Sequence, residues 1–391
     1  MFCIVISKKL VNMIDSEKKV IVSALVLNKA KSGYYRVIRN MLLTIGDQAL
    51  AEGQHFIFVI QRQAIELLEI DVNKCHPNIS IVTTINFNSV WFRGVFEQFA
   101  IPYLAFKYKV SLIFMPATFG LIFPVRKVVT FVHTNTSFAM NKEFRGRSIF
   151  QQFAHKFLAR ITYLTSSSIL FTTNQTYKEY QSFVKRNLPC NIIGNGIMES
   201  LPIELKSEEK IQVENRREYI LVVSQFYRLK NFNNIISALK IYNSKIDENY
   251  KQVSLIIVGT IQERDFYSEL LKMVELCDFV DFKHDLTNDE LNSLYKNCLF
   301  YCSMSLFEGY SLTPAEALMH GKRLLLSDIP THREVYDGLA LFVNPNDPIE
   351  IKDGIKKLCS SKEQIDMEFI MDRFSQFSFN SRILKSISDA L

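Results

Sequence analysis

Residues 303–328 read SMSLFEGYSLTPAEALMHGKRLLLSD, and the architecture of the chain can be worked out from them. Two carboxylates, a glycine turn and a helix start lie between two apolar segments. Residues 298–303 (CLFYCS) and 322–327 (KRLLLS) are short runs of the kind that form buried parallel strands. Thr313-Pro314-Ala315-Glu316 has the form of a helix N-terminus, with Thr313 at N-cap, Pro314 at N1 and Glu316 at N3 closing a capping box. His320-Gly321 has the form of that helix's end. Glu308, Gly309, Tyr310, Ser311 and Leu312 then make a loop at the carboxyl end of one strand, directing backbone N–H groups at whatever lies above it. In an open α/β sheet this crevice is where ligands bind, and a helix N-terminus there favours phosphate.

Two readings of the carboxylates stand side by side. In one, Glu316 is a capping residue and Glu308 a solvated loop carboxylate. In the other, both accept hydroxyl groups, which a carboxylate can take in bidentate fashion. A phosphate flanked by sugars on either side fits the second arrangement, and such a ligand is a nucleotide sugar.

Glu308 and Glu316 form an E-x7-E pattern. With the strand before it, the EGY triplet, P-x-E-A and the trailing Gly321-Lys322, it resembles the signature of retaining glycosyltransferases of family 4, the glycosyl transferases group 1. The resemblance implies an α/β chain of GT-B fold: two Rossmann-like doubly wound domains facing a central cleft, with a C-terminal helix returning to the N-terminal domain. It implies that Glu308, with Gly309, Tyr310 and Ser311, holds the transferred sugar, that Leu312 and Thr313 line the donor site, and that Glu316 holds the nucleotide ribose.

At 391 residues the chain exceeds one typical domain, and 48% apolar residues suffice for two ordinary cores. Residues 1–195 carry 23 Lys+Arg against 10 Asp+Glu, a net +13, and residues 196–391 carry 23 against 30, a net −7. The basic first half suits an anionic partner such as a membrane surface, a phosphorylated acceptor or nucleic acid, or is simply a soluble basic surface. No RNP, zinc-finger or helix-turn-helix signature accompanies it, so no nucleic-acid partner is expected. The seven cysteines are odd in number and scattered in mostly apolar contexts, which reads as reduced, buried thiols of a cytosolic protein. MFCIVISKKL makes a poor signal peptide. The longest uncharged run, residues 110–125, is short and broken by Pro116, Gly120 and Pro124, and reads as strand and loop rather than a membrane span. A cytoplasmic location is expected, peripheral on the inner face of the plasma membrane if the basic half engages lipid.

In the first half, residues 19–26 (KVIVSALV), 55–60, 79–84, 110–115 and 127–132 read as strands. A polar turn ending in Gly33 precedes a helix over 34–50, the first unit of a doubly wound domain, so Gly33 sits where backbone can approach a ligand closely. In the resembling family this glycine loop faces the donor phosphates and the acceptor. Residues 91–109 read as helix; their Glu97-Gln98 and Pro102 resemble the family's W-x-x-E-Q-x-x-L-P segment, with Phe96 preceding the Glu where Trp is common. His133 follows the strand VVTFV and falls in the same crevice as Gly33, from a neighbouring strand. It is a capped core residue or, as the resemblance implies, the histidine beside the transferring sugar, although Thr134 stands where the family usually has Asp. Residues 144–163 form a basic amphipathic helix that either packs on the sheet or meets an anionic membrane surface or a lipid diphosphate.

NIIGNG (191–196) resembles the family's I-P-N-G segment with Gly194 in place of proline. The boundaries read as an acceptor-binding domain over 1–196, a charged linker over 197–218, a nucleotide-sugar-binding domain over 219–372, and a helix over 373–391 that packs on the first domain. YILVVS (219–224) opens the second doubly wound unit, and Lys230 precedes its first helix above a strand's carboxyl end, a seat for an ammonium that neutralises a diphosphate. The family usually pairs an Arg with this Lys five residues earlier. That position is Gln225 here, so Lys230 works with less help or Arg228 substitutes. Residues 255–259, 279–282 and 299–302 supply further strands, and Lys283 and His284 end the middle one, where the nucleotide base is expected. No D-x-D pair occurs, so transfer from the donor to a glycan or polyprenyl-diphosphate-linked acceptor is expected to need no metal and no other cofactor. Glu308, Lys230 and His133 are the residues expected to act on the reacting sugar. Three competing classes share some features: a nucleotide-sugar 2-epimerase of the same fold, a glycosidase using the two glutamates, and a nucleic-acid-binding protein.

Overall fold

Strands made of consecutive apolar residues can be buried on both faces, and such strands build both sheets of this chain. In a computed structural model, residues 5–6, 18–27, 33–68, 71, 74–87, 89–117, 119–133, 149–185, 191–197, 218–244, 251–361 and 365–391 are described. The chain divides into two units, residues 1–198 with 374–391, and residues 199–373.

The first unit runs β1 (Val5–Ile6), β2 (Lys18–Ser23), α1 (Gly33–Ala51), β3 (Gln54–Gln61), α2 (Arg62–Leu68), β4 (Ile79–Thr84), α3 (Val90–Lys107), β5 (Leu112–Met115), β6 (Lys127–Val132), α4 (Ile149–Thr165), β7 (Ser168–Phe171), α5 (Asn174–Val184) and β8 (Asn191–Ile192). Its sheet has the order β1-β4-β3-β2-β5-β6-β7-β8, parallel throughout except for β1. Alternation sorts the side chains: Val20, Val22, Phe56 and Phe58 pack with Val37 and Met41 of α1, while Ile21, Ile57 and Val59 pack with Ile101 and Leu104 of α3. The chain winds outward from β2 to β4 and returns to β5, so the order reverses between β2 and β5. His133 follows β6, and β5 therefore separates its strand from the one that leads to Gly33. The expectation that these two strands are neighbours is corrected. Gly33 itself is the first residue of α1.

The second unit runs β9 (Tyr219–Val223), α6 (Phe232–Ser244), β10 (Ser254–Val258), α7 (Arg264–Val274), β11 (Val280–Lys283), α8 (Asn288–Asn297), β12 (Phe300–Ser303), α9 (Leu312–Met319), β13 (Leu324–Ser327), α10 (Pro330–Tyr336), β14 (Ala340–Val343), α11 (Pro348–Ser360) and α12 (Met367–Phe374). Its parallel sheet has the order β11-β10-β9-β12-β13-β14, with the reversal between β9 and β12. The strand that ends in Lys283 lies at the edge of the sheet. Ile220, Val222, Leu255, Ile257, Phe300 and Cys302 form the core on one face. Burial pushes the Cys298 thiol up to about 12, which leaves it protonated and unreactive.

The last helix, α13 (Gln376–Ala390), belongs to the first unit. It is separate from α12 because the Ser375 side chain caps it, accepting from the Ser378 amide. One continuous helix over 373–391 is therefore not formed. Phe379, Ile383 and Ile387 are fully buried in the first core, and Asn380 donates to Thr44 at 2.9 Å and Arg382 to the Ile193 carbonyl at 2.7 Å. A Cβ on Gly196 would lie 2.5 Å from the Phe379 Cβ, so the helix can approach only a glycine there. Gly194 has φ +67°, a conformation closed to the proline of the resembling segment.

Phe379→Ala is expected to cost about 3–5 kcal/mol in a urea-denaturation series, as for other buried aromatics. A cost below about 1 kcal/mol would mean that α13 is peripheral to the first core.

Candidate active site

Both loops at the second unit's reversal point leave the carboxyl ends of adjacent strands, and they are stitched together. After β9 the chain passes through Ser224 to a 3-10 turn (Arg228–Lys230), with Asn231 left-handed at φ +56° before α6. After β12 it passes through Ser305 and Glu308 to α9. The Leu306 amide donates to the Leu229 carbonyl at 2.8 Å. Close by, Gly259 follows β10, and a Cβ there would meet the Ser224 carbonyl oxygen at 1.9 Å. Only glycine allows the β9 loop to lie this close.

The stitching brings Lys230 and Glu308, 78 residues apart, to 2.6 Å between Nζ and Oε1, with side chains only 12% and 14% exposed. Burial alone would raise the Glu308 pKa, but the Lys230 charge and hydrogen bond outweigh it and hold the carboxyl below its usual range. Lys230 is the mirror case: burial lowers its pKa, and Glu308 and Tyr227 more than restore it. Both groups are charged at neutral pH. The Glu308 backbone is fixed in turn by Thr331, whose hydroxyl donates to its carbonyl at 2.8 Å, and Ser327 donates to the Ser305 carbonyl at 2.6 Å.

The start of α9 differs from the expected capping box. The helix begins at Leu312, its N-cap is Ser311 at φ +67°, and no side chain caps it. Thr313 shares a hydrogen bond with the Tyr301 hydroxyl at 2.7 Å, and Glu316 accepts from the Tyr295 hydroxyl at 2.9 Å. Tertiary partners have taken both groups that the box would use, and Tyr336 fixes the Ser311 carbonyl instead. The first-turn N–H groups of α9 lack intrahelical acceptors, as at any helix start. Ser311 pays a backbone strain of about 1–3 kcal/mol to turn the chain there. At the other end His320 is the C-cap and Gly321 is left-handed at φ +68°, as the sequence suggests.

Other expected residues are placed as follows. Gln225 is exposed. Arg228 is exposed and makes a two-pronged pair with Glu269, at 2.9 and 2.5 Å, over the Phe266 ring. Lys283 pairs with Asp281 at 2.8 Å. His284 is wedged between the Gly259 carbonyl at Nδ1 (2.7 Å) and the Tyr267 hydroxyl at Nε2 (2.9 Å). In the first unit, His133 sits edge-on to Phe131, with Nε2 3.2 Å from the Asn195 amide nitrogen. Burial lowers its pKa to about 4, so the ring is neutral. Glu97 is buried at the carboxyl end of β2, where it accepts from Ser23, and burial raises its pKa.

One group escaped the sequence reading altogether. His332 on α10 is fully buried, with Nδ1 3.0 Å from Ser327 Oγ and 3.1 Å from its carbonyl. Its Nε2 is buried without a hydrogen-bond partner. Burial lowers its pKa to about 4, against the opposing pull of the nearby Glu308 charge. The only signal in the sequence is a histidine placed just inside a helix that starts with Pro330 after a strand.

Residues 204–369 match the family model described as glycosyl transferases group 1. The chain is 28% identical over 148 residues to the O-antigen chain mannosyltransferase RfbU of Salmonella typhimurium, covering 38% of this chain and 40% of that protein. It is 26% identical over 144 residues to the serotype-specific mannosyltransferase WbdA of Escherichia coli, covering 36% and 17%. The chain thus spans less than half the length of these two relatives. Among solved structures, Anabaena HepE in complex with UDP and glucose superposes with a TM-score of 0.69 at 14% identity, over 95% of this chain and 100% of that one. That likeness is one of fold, and with it the two Rossmann-like units are those of a GT-B protein.

Two outcomes follow. Lys230→Met and Glu308→Gln are each expected to cost about 3–5 kcal/mol, because each strands a buried charge, and the double change much less than their sum. Additive costs in the double-mutant cycle would mean that the pair is not coupled. His332 has a folded pKa of about 4, below the unfolded value of about 6.5. The unfolded chain therefore takes up this proton first, and stability that is full above about pH 6.5 falls as pH approaches 4. A His332→Asn variant should show a shallower acid limb in thermal melts; an unchanged slope would contradict the assignment.

Proposed function

We propose that this chain, whose residues 204–369 form a group 1 glycosyltransferase domain, is a retaining glycosyltransferase that moves a hexose from a nucleotide-diphosphate sugar to a sugar or lipid-linked oligosaccharide acceptor. The observation that carries this reading is the buried Lys230–Glu308 pair at the reversal point of the second sheet. Its chemistry fits a donor that is anionic in the middle and hydroxylated at the end. A diphosphate draws the Lys230 ammonium, and the start of α9 adds N–H donors, so negative charge developing on the leaving diphosphate is stabilised where it forms. Glu308, released from Lys230, accepts hydroxyls of the transferred sugar. Glu316, which accepts from Tyr295, is the carboxylate assigned to the ribose.

No metal takes part in this scheme, because Lys230 and the helix start supply the counter-charge. Transfer on the face of departure gives an α-linked product from an α-linked donor. The names of the two relatives make mannose the first hexose to test and bacterial surface polysaccharide, including O-antigen, the first pathway. The work would take place in the cytoplasm, at the inner face of the membrane that holds a lipid-linked acceptor.

Incubating the chain with labelled UDP-, GDP- and dTDP-sugars tests this. Transfer is expected only with an acceptor present, unchanged by EDTA, and reduced about 10²–10³-fold in kcat by Lys230→Ala. Epimerisation or hydrolysis without acceptor, or near-normal turnover of Lys230→Ala, would contradict the reading.

A further inference from the structure

Helix α3 is apolar on both faces: Ile101 and Leu104 meet the core, and a second set of large apolar groups faces outward. Trp91, Phe92, Val95, Phe99, Tyr103 and Phe106 recur every one to four residues and are 56–75% exposed, while the helix's one carboxylate, Glu97, is buried on the opposite side. They form an outward stripe about 25 Å long, at 1.5 Å per residue. A soluble surface rarely carries so many large apolar groups in one row.

The stripe continues onto a second helix. Val128 of β6 packs with α3's Leu104 and Ala105, and Val132, four residues on, packs with α4's Ala159. Both valines point to one side of the strand, so α3 and α4 cover the same face of the sheet. On α4, Phe153, Phe157, Arg160 and Leu164 make an exposed row of their own. The segment between is bound to both helices. The Ile122 amide donates to Gln98 of α3 at 2.7 Å, and the Gly120 amide donates to Thr162 of α4 at 2.8 Å. Between those anchors and β6 stands Phe123, 79% exposed.

Charge decides what would cover this face. The described residues from 90 to 165 hold seven Lys+Arg and one carboxylate, Glu97, which is buried. Lys107 and Arg126 are exposed beside the aromatics of α3 and the loop, and Arg160 lies within the α4 row. Exposed aromatics set among cations with almost no opposing acid match a layer of anionic headgroups over acyl chains. A second copy of the chain would bring the same positive charge to the same place and be repelled.

We propose that the α3–α4 face of the first unit is a docking surface for an anionic lipid bilayer, with α3's aromatics as the inserting edge. The helix expected to make this contact, over 144–163, contributes only the smaller row; its residues 144–148 lie outside the described residues. The proposal rests on side-chain exposure and charge, and it stands apart from the transfer reaction.

The test is flotation of the full chain with vesicles of phosphatidylglycerol and phosphatidylcholine, compared with pure phosphatidylcholine. The chain is expected to float at least tenfold more with the anionic vesicles, and less at 0.5 M salt. A Phe92→Ser, Phe99→Ser, Phe106→Ser variant is expected to remain at the bottom with an unchanged circular dichroism spectrum, since all three side chains already face solvent. Its turnover on a water-soluble acceptor should match that of the parent, which separates this proposal from the transfer reading. Absent flotation, equal flotation of the triple variant, or a dimer in light scattering that the variant abolishes would each overturn it, the last in favour of a second copy.

Discussion

Two opposite charges taken out of water must satisfy one another, and Lys230 and Glu308 do so at 2.6 Å in the second unit. Their meeting is a consequence of topology. The sheet reverses between β9 and β12, which sets the loops after those strands side by side, and the contact from Leu306 to Leu229 holds them there. Gly259 allows the approach, and Thr331 fixes the Glu308 backbone from a third element. A pair held so closely is a poor source of net stability but a ready binding device. On the proposed reading an anionic ligand exchanges with Glu308 for the ammonium and leaves the carboxylate to the ligand's hydroxyls.

The surroundings keep that exchange specific. His332, neutral and buried, adds no competing charge beside Glu308. Arg228, the alternative cation two residues from Lys230, is engaged with Glu269 on the outside of the turn. Its guanidinium is therefore an outer brace on the β9 loop, and Lys230 is left as the ammonium facing Glu308.

Much of this was legible in the chain because it is local. The strands over 79–84 and 127–132 read directly from their apolar runs and appear with the same bounds. His320 and Gly321 ended their helix as glycine at C′ does. What could not be read depends on distant partners. Thr313 and Glu316 have the local form of a capping box, yet Tyr301 and Tyr295 outbid the backbone for both side chains. The box that does form is at Thr287 and Glu290, where the helix start is exposed and no tertiary group competes. Lys230 and Glu308 each stood out in the sequence, but their pairing needs the strand order. So does the separation of His133's strand from the one before Gly33. The outward aromatics of α3 have helical spacing, and spacing alone does not say which face of a helix meets the core.

The most direct test is a structure of the chain with GDP or UDP bound. The account predicts a diphosphate within hydrogen-bond distance of Lys230 Nζ and the first turn of α9, with the Lys230–Glu308 distance lengthened from 2.6 Å. A nucleotide lodged away from the carboxyl ends of β9 and β12, with that pair unchanged, would contradict it.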